Sequence, residues 1–280
     1  MKDGTPAVSV CIPAYQAASH LATAVRSVLN QNFTDFELVV LDNASTDDTS
    51  DIVRSFVDPR IRLVHNDNTI SMTANWNRAV ELCRAPLVKL LCADDVLRPD
   101  CLRVQHQVMA ADAHLAMTVC RRDFLDGAGR RLATGRGLAG LLGEHDLVSV
   151  ARRVIRHGGN PLGEPGSVLM RRSAFTAAGG FVEQMNLVLD IHLWLRLLAH
   201  GPMFGTEDSL AAFRISGGSL SSRTHRAGQA QQYSCNAEVV ANPIYRVRDL
   251  DRMIGAAAAP LAQLRRRGLF SFAALNRPGF

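Results

Sequence analysis

The chain has 280 residues, of which 47% are hydrophobic and 20% charged, which excludes disordered and fibrous classes and suits one large α/β domain. It has no apolar run of the roughly 20 residues that span a membrane, and its first ten residues lack the apolar core of a signal peptide, so a cytoplasmic protein is expected.

The net charge of +5 is concentrated from Arg223 onward, where nine arginines face three acids. This basic C-terminal region predicts either a peripheral contact with an anionic membrane surface or simply a solvated face. Without interleaved aromatic residues it does not predict a nucleic-acid partner.

The first ninety residues alternate between short apolar runs and segments with helical spacing. Strands are predicted at 8–12, 36–41, 61–65 and 87–91, and helices at 20–29, 45–56 and 72–83, with Ser45 as the cap of the second helix. Such alternation with short connections is typical of a Rossmann-like, doubly wound, mostly parallel sheet with helices on both faces. Ligands of such sheets bind beyond the carboxyl ends of the strands. The residues that follow the first, second and fourth strands should therefore lie on one rim.

The rest of the chain is less regular. Helices are predicted at 100–109, 147–157, 173–178 and 190–200, and strands at 117–120, 167–170 and 210–214. The Gly- and Arg-rich segment 126–143 is predicted to be irregular, and its G-x-G-x-x-G lacks the preceding strand of a dinucleotide site. The loop 158–166, GGNPLGEPG, has the composition of a functional loop. We expect one α/β domain over 1–220 and a helical C-terminal extension, 221–280, packed on it.

Two adjacent acids, Asp94 and Asp95, follow the apolar run of the fourth strand and precede Pro99. Because an unpaired buried charge is costly, two acids at the end of a buried strand indicate that a cation sits with them. The pair therefore predicts a site for a divalent metal and a diphosphate. The alternative is that the two acids cap a helix or hold a turn.

Four segments, in this order and spacing, resemble the family 2 glycosyltransferases. They are VSVCIPAYQAASHL (8–21), VVLDNASTDDT (39–49), LVKLLCADDVLRPD (87–100) and AGGF with LDIHLWLRL (178–197). The resemblance covers about 8–220 and implies the GT-A fold. It also implies an inverting, metal-dependent enzyme that moves a sugar from a nucleotide-diphosphate donor to a glycan or lipid-linked acceptor in polysaccharide or cell-surface glycan biosynthesis. The alternatives are a non-catalytic nucleotide-sugar binding protein and a sugar-nucleotide nucleotidyltransferase, whose Gly/Arg/Lys-rich loop is absent from PAYQAASH.

The resemblance also assigns roles to individual residues. Asp94 and Asp95 would be the D-x-D element that holds Mg²⁺ or Mn²⁺. Cys92 stands where the commonest family form has its first acid, and a neutral thiol there is expected to weaken metal or ribose binding. Asp190 would be the general base, the alternative being a helix cap. Arg214 would hold the diphosphate, the alternative being a surface arginine. The residues expected to bind the donor nucleotide are Pro13, Ala14, Tyr15, Asp42, Asn43, Asn75, Asp94 and Arg214.

Overall fold

The computed structural model describes residues 4–215 and 225–260, together with Leu264. Its strands are β1 Val8–Ala14, β2 Phe36–Asp42, β3 Ile61–His65, β4 Leu87–Leu90, β5 Val96–Leu97, β6 Met117–Leu125, β7 Arg131–Arg136, β8 Gly143–His145, β9 Val168–Arg171 and β10 Met203–Arg214. Within the described ranges they form one sheet in the order β3-β2-β1-β4-β9-β6-β10-β5, with β7 beside β6 and β8 beside β10.

Helices cover both faces of this sheet. They are α1 Leu21–Leu29, α2 Thr49–Arg54, α3 Met72–Glu81, α4 Cys101–Ala111, α5 Leu147–His157, α6 Arg172–Ala177, α7 Leu189–Leu197, α8 His225–Ala241 and α9, described over 249–260. Among the residues that the structure describes, no helix combines the length and the apolar character needed to cross a membrane.

The central strands are apolar on both sides because two layers of helices cover them. In β1, Val10 and Ile12 pack in a cluster with residues of α1, α2 and α4. Cys11, between them, belongs to a second cluster with residues of α3, α5, α6 and α7. Successive side chains of a strand point to opposite faces, so a continuous apolar run of this kind needs helices on both. The predicted α/β fold class is confirmed.

The parallel half of the sheet brings the predicted strand ends together. β1 pairs in parallel with β2 and β4, and β2 pairs with β3. The register sets Ala14 opposite Asp42 and Cys11 opposite Leu90, so β1, β2 and β4 end on one rim, as predicted. β9 lies between β4 and β6 and pairs antiparallel with both. β6 in turn pairs in parallel with β10.

Two local predictions are wrong. The second helix begins at Thr49 and not at Ser45, because Ala44 has a left-handed φ of 54° and the Asp42 side chain accepts the Ser45 N–H at 3.0 Å, which forms a turn. The segment 126–143, expected to be irregular, contains β7, which pairs antiparallel with β6. Pairing with a neighbouring strand decides the conformation there, and the local composition does not show it.

The described part of the C-terminal region packs on the α/β core. Cys235 and Val239 of α8 are buried in the cluster that contains α7, and the Leu187 N–H donates to the Gln231 side chain at 2.7 Å. The division into a 1–220 domain and a 221–280 extension stays a prediction. Elements expected within 216–224 and beyond 260 lie outside the described residues, apart from Leu264.

Candidate active site

The acid pair lies in a tight turn at the carboxyl end of β4. The Asp95 N–H donates to the Cys92 carbonyl at 3.1 Å, which closes the turn, and Asp95 is only 2% exposed. One ligand atom from each of Cys92, Asp94 and Asp95 can be chosen so that all three lie within 4.8 Å of one another. The turn therefore presents two carboxylates and one thiol to a common point.

Burial of these two acids is not balanced by protein charges. Burial raises the pKa of Asp94, although the charges of His20 and Arg214 oppose the shift. Burial raises the pKa of Asp95 well above its ordinary value, and repulsion from Asp94 adds to this. A cation held between the carboxylates would remove most of that penalty.

The residues fit a hard divalent ion. Mg²⁺ and Mn²⁺ prefer carboxylate oxygens, of which the turn supplies four, and they are usually completed by substrate phosphates and water. Burial, followed by the nearby acids Asp95, Asp94 and Asp190, raises the pKa of the Cys92 thiol well above its ordinary range. A neutral thiol is a poor ligand for a hard ion. Asp94 and Asp95 are therefore the residues able to hold the ion.

Arg214, the last residue of β10, encloses the turn from the other side. It is 4% exposed, so the surface alternative for this residue is excluded. Its backbone N–H donates to Asp95 Oδ1 at 2.9 Å, and its Nε donates to the Asp94 carbonyl at 2.9 Å. Its Nη1 also donates to the Asp126 carbonyl at 3.2 Å. Arg214 thus fixes the acid turn and adds a positive charge beside it.

The loops after β1 and β2 are fastened to each other. Gln16, with a φ of 48°, donates its N–H to Ser45 Oγ at 3.0 Å and its side-chain amide to Thr46 Oγ1 at 2.9 Å. Gln16 and Ala44 both adopt the left-handed conformation that costs non-glycine residues free energy, so the contacts across the two loops must hold them there. Pro13 and Ala14 are buried, whereas Tyr15 is 54% exposed with its ring at the rim.

Asp42 is an ionised, buried acid at the end of β2. Its side chain accepts hydrogen bonds from the Ser45 N–H at 3.0 Å and from Ser50 Oγ at 2.5 Å. Burial alone would raise the pKa of Asp42, but these hydrogen bonds outweigh it and hold the pKa below its ordinary value. The carboxylate is therefore charged at neutral pH and can accept a further donor.

Asn43 and Asn75 are committed to an internal hydrogen-bond network. Asn43 donates to the Ile70 carbonyl at 2.9 Å and accepts from the Ile70 N–H at 3.0 Å. Asn66 Nδ2 donates to both Asn43 Oδ1, at 2.6 Å, and Asn75 Oδ1, at 2.9 Å. These side chains hold the loop before α3 against the end of β2, and their contact with a nucleotide stays a prediction.

Asp190 lies in the first turn of α7. The position that caps this helix is Val188, so Asp190 is not the N-cap residue that the alternative required. Its Oδ2 accepts from Asn160 Nδ2 at 2.7 Å and its Oδ1 from the Ile191 N–H at 2.8 Å. Burial, reinforced by the Glu164 charge, raises the pKa of Asp190 to about 6. A carboxyl with this pKa is mostly ionised at neutral pH and is basic enough to accept a proton.

The loop 158–166 connects the base to the acid pair. Asn160 Oδ1 accepts from the Leu162 and Gly163 N–H groups, at 3.0 and 2.9 Å, which fixes the amide that donates to Asp190. Glu164 pairs with Arg122 of β6, and its charge raises the pKa of both Asp95 and Asp190. The charge of one residue, Glu164, therefore acts on both Asp190 and the acid pair.

Three residues of this site were not predicted from the sequence. Asn160 and Glu164 lie in the loop whose composition indicated function, but no pattern singled them out. His20 lies just before α1. Burial lowers its pKa, and the charges of Arg214 and Asp94 are close enough to act on it as well. The one feature of the sequence that could have indicated a role for His20 is its position in the segment 8–21, shortly after Tyr15.

Comparison with known proteins agrees with this architecture. The family model described as glycosyl transferase family 2 matches residues 9–178, more than half of the chain. An uncharacterised protein of Mycobacterium tuberculosis is 31% identical over 199 residues, which cover 69% of this chain and 62% of that protein. Chondroitin synthase of Escherichia coli is 29% identical over 199 residues, covering 70% of this chain and 27% of that enzyme. The chain thus spans less than two thirds of the length of these two relatives.

A solved structure extends the likeness in fold to nearly the whole chain. A mannosyltransferase from Pyrobaculum calidifontis, solved with GDP-Man and Mn²⁺, has a TM-score of 0.67 and 17% identity, and the match covers 99% of this chain and 77% of that one. At this identity the likeness shows the fold, which is the GT-A fold expected from the sequence. With the family model matched over β1 to α6, the chain belongs to glycosyl transferase family 2.

Proposed function

We propose that the protein is a metal-dependent, inverting glycosyltransferase that uses a nucleotide-diphosphate sugar and acts on a glycan or lipid-linked acceptor in polysaccharide or cell-surface glycan biosynthesis. The observation that carries the proposal is the Asp94–Asp95 pair on the rim of the sheet, next to Cys92, which is close enough to the pair and to Asp190 for the charges of all three acids to act on its thiol. Support for the substrate class comes from the relatives, since one is a chondroitin synthase and the structural neighbour holds GDP-Man.

The donor would lie along the rim from β2 to β4. Tyr15 offers an exposed ring as a platform for the base, and the Asp42 carboxylate offers an acceptor for its N–H groups. The backbone of Pro13, Ala14 and Asn43 would form the floor beneath them. The guanidinium of Arg214 stands beside the acid turn, where the diphosphate would arrive.

Asp94 and Asp95 would hold Mg²⁺ or Mn²⁺, and Asp94 would also contact the donor. The ion, when bound, would supply Lewis-acid neutralisation of the charge that develops on the departing diphosphate. Arg214 adds positive charge next to the same turn. The fixed turn, closed by the Asp95 N–H and braced by Arg214, would hold the two carboxylates in place before the donor binds.

Asp190 would act as the general base. Its carboxylate would take the proton from an acceptor hydroxyl while that oxygen attacks the anomeric carbon from the face opposite the diphosphate. The new glycosidic C–O bond forms as the bond to the diphosphate oxygen breaks, and the configuration at the anomeric carbon inverts. The pKa of about 6 keeps this group ready to accept a proton near neutral pH.

The experiment is a thermal-shift screen of the purified chain with UDP-, GDP- and dTDP-sugars, each with and without Mn²⁺. A ligand that binds only the folded state raises the apparent stability. One donor class should stabilise the protein with Mn²⁺ and lose this effect in EDTA. Incubation with that donor and an acceptor extract should release the nucleoside diphosphate. Binding without release would favour the non-catalytic alternative, and no binding at all would contradict the proposal.

A further inference from the structure

A cavity of about 330 Å³ lies at the opposite end of the sheet from the acid turn. It is bounded by the residues around β8 and by α5, and β8 pairs with Met203–Gly205, the beginning of β10. Arg214, which touches the acid turn, is the other end of that strand. At about 3.3 Å per residue the two ends are roughly 30 Å apart. The cavity is therefore separate from the proposed active site.

The lining of this cavity is strongly basic. Arg152, Arg153 and Arg156 of α5 all line it, together with His145. Arg156 pairs with the buried Asp251 of α9, and Arg152 lies 3.6 Å from the same carboxylate. The Nε of Arg153 is buried and meets no acceptor within the part of the chain that the structure describes.

Among the residues that the structure describes, few acids offset this charge. Asp251 is shared by Arg152 and Arg156, and Asp146, at the start of α5, accepts the Ser149 N–H at 2.8 Å. Three arginines thus face two acids that already have partners. A buried guanidinium nitrogen without an acceptor favours an anion with several oxygens, and the phosphate group is the common one that matches guanidinium geometry.

The helix that packs beside these arginines carries an exposed apolar stripe. Asp251 and Gly255 of α9 face α5, and a Cβ on Gly255 would clash with the Ile155 carbonyl oxygen. Leu250, Met253 and Ile254 are 59%, 69% and 39% exposed. Their spacing of three and four residues sets them on one side of the helix. Large apolar side chains exposed in a row mark an interaction surface.

We propose that the arginine cavity of α5 and the apolar stripe of α9 form a docking surface for an anionic phospholipid bilayer. The cavity accepts a lipid phosphate group, and Leu250, Met253 and Ile254 enter the interfacial region of the membrane. A bilayer is the partner that offers dense phosphate charge and apolar material side by side, which matches both halves of the surface. The inference goes beyond the proposed function and does not depend on it.

Vesicle flotation tests the surface. The full chain should float with phosphatidylcholine vesicles that contain phosphatidylglycerol, at low salt, and should be released as ionic strength rises. Vesicles of phosphatidylcholine alone should not retain it. Arg153→Gln should weaken the partition about fivefold, the usual effect of one basic residue near an anionic surface. Leu250→Ser with Met253→Ser should weaken the partition by a factor that does not change as ionic strength rises, because the apolar contribution is not screened.

The matched control is Arg78→Gln, which removes the same charge from an exposed position on α3. It should leave the partition unchanged, and melting curves should show that all variants fold. Equal binding by Arg153→Gln and Arg78→Gln would overturn the proposal and assign attachment to other basic residues. Failure to float at low salt would overturn it too, as would calorimetric binding of inorganic phosphate without any vesicle binding, or self-association through α9 without lipid.

Discussion

Asp190→Asn should make the protein more stable while removing its activity. An ordinary aspartate titrates near 3.8 and Asp190 near 6. The difference of about two units, at about 1.4 kcal/mol per unit, corresponds to about 3 kcal/mol at pH 8, where the carboxyl is ionised in both states. An asparagine carries no charge to bury, and its amide oxygen can still accept the Asn160 N–H. We expect a gain in the free energy of unfolding of up to about 3 kcal/mol.

The sign of the pH dependence follows from the raised pKa. The folded state holds the Asp190 proton more tightly than the unfolded chain, so the contribution of this group to stability is lost as pH rises from about 4 to 6. The advantage of Asp190→Asn should therefore shrink to about 1.5 kcal/mol at pH 5. Urea unfolding at pH 8 and pH 5 measures both values. Transfer should fall by ~10²–10⁴, the usual contribution of a general base, with donor binding retained.

The matched control is Asp51→Asn, since Asp51 is an exposed aspartate in the first turn of α2. It should change stability by no more than about 0.5 kcal/mol, with little difference between pH 8 and pH 5. Equal stability of wild type and Asp190→Asn at pH 8 would show that the carboxyl is not destabilised by its surroundings. Transfer within tenfold of wild type would show that it is not the base. Either result refutes the reasoning.

Three further predictions concern the rest of the site. Asp95→Asn should abolish the Mn²⁺-dependent thermal shift with the donor while raising the stability of the free protein, because burial raises the pKa of the native acid. Cys92→Asp should tighten Mn²⁺ binding in calorimetric titration, since a carboxylate replaces a neutral thiol at the cation site, and should lower stability without the ion. Asn160→Ala should move the acidic limb of the pH–rate profile to higher pH, because it removes a hydrogen bond that stabilises the ionised form of Asp190. Asn160→Asp keeps the backbone contacts of this side chain but adds a negative charge beside Asp190, so it should move the acidic limb further in the same direction. An unchanged profile in both variants would rule out Asn160 as a positioning residue.

The first half of the fold follows from local patterns. Val8 to Ile12 and Phe36 to Leu41 are each apolar at all but one position, which is typical of a strand covered on both faces. Once the strands are parallel, topology alone brings the ends of β1, β2 and β4 together. That is why Asp42 and the Asp94–Asp95 pair could be placed on one rim from the sequence.

The environment of Asp190 could not be predicted in this way. It depends on the loop 158–166, whose path is set by contacts with residues remote in sequence. Gly163 has a φ of 111°, and a Cβ at this position would come 2.9 Å from Arg122 Nη1. The Trp194 indole N–H donates to the Gly163 carbonyl at 3.1 Å. Those contacts join β6, the loop and α7, which are remote in sequence. No local pattern indicates that Asn160 will donate to Asp190, or that the charge of Glu164 will act on both Asp190 and Asp95.

The unbalanced acids at this rim tie stability to ligand binding. Asp94, Asp95 and Asp190 all have raised pKa values, and burial is the first cause for each. Such groups destabilise the free protein, and sites that keep them trade stability for function. A donor diphosphate alone is repelled by the two carboxylates, whereas a bound cation neutralises them and attracts the diphosphate. The cation and the donor should therefore stabilise the chain together by more than the sum of their separate effects. Additive shifts of Mn²⁺ and the nucleotide in the thermal screen would contradict this coupling.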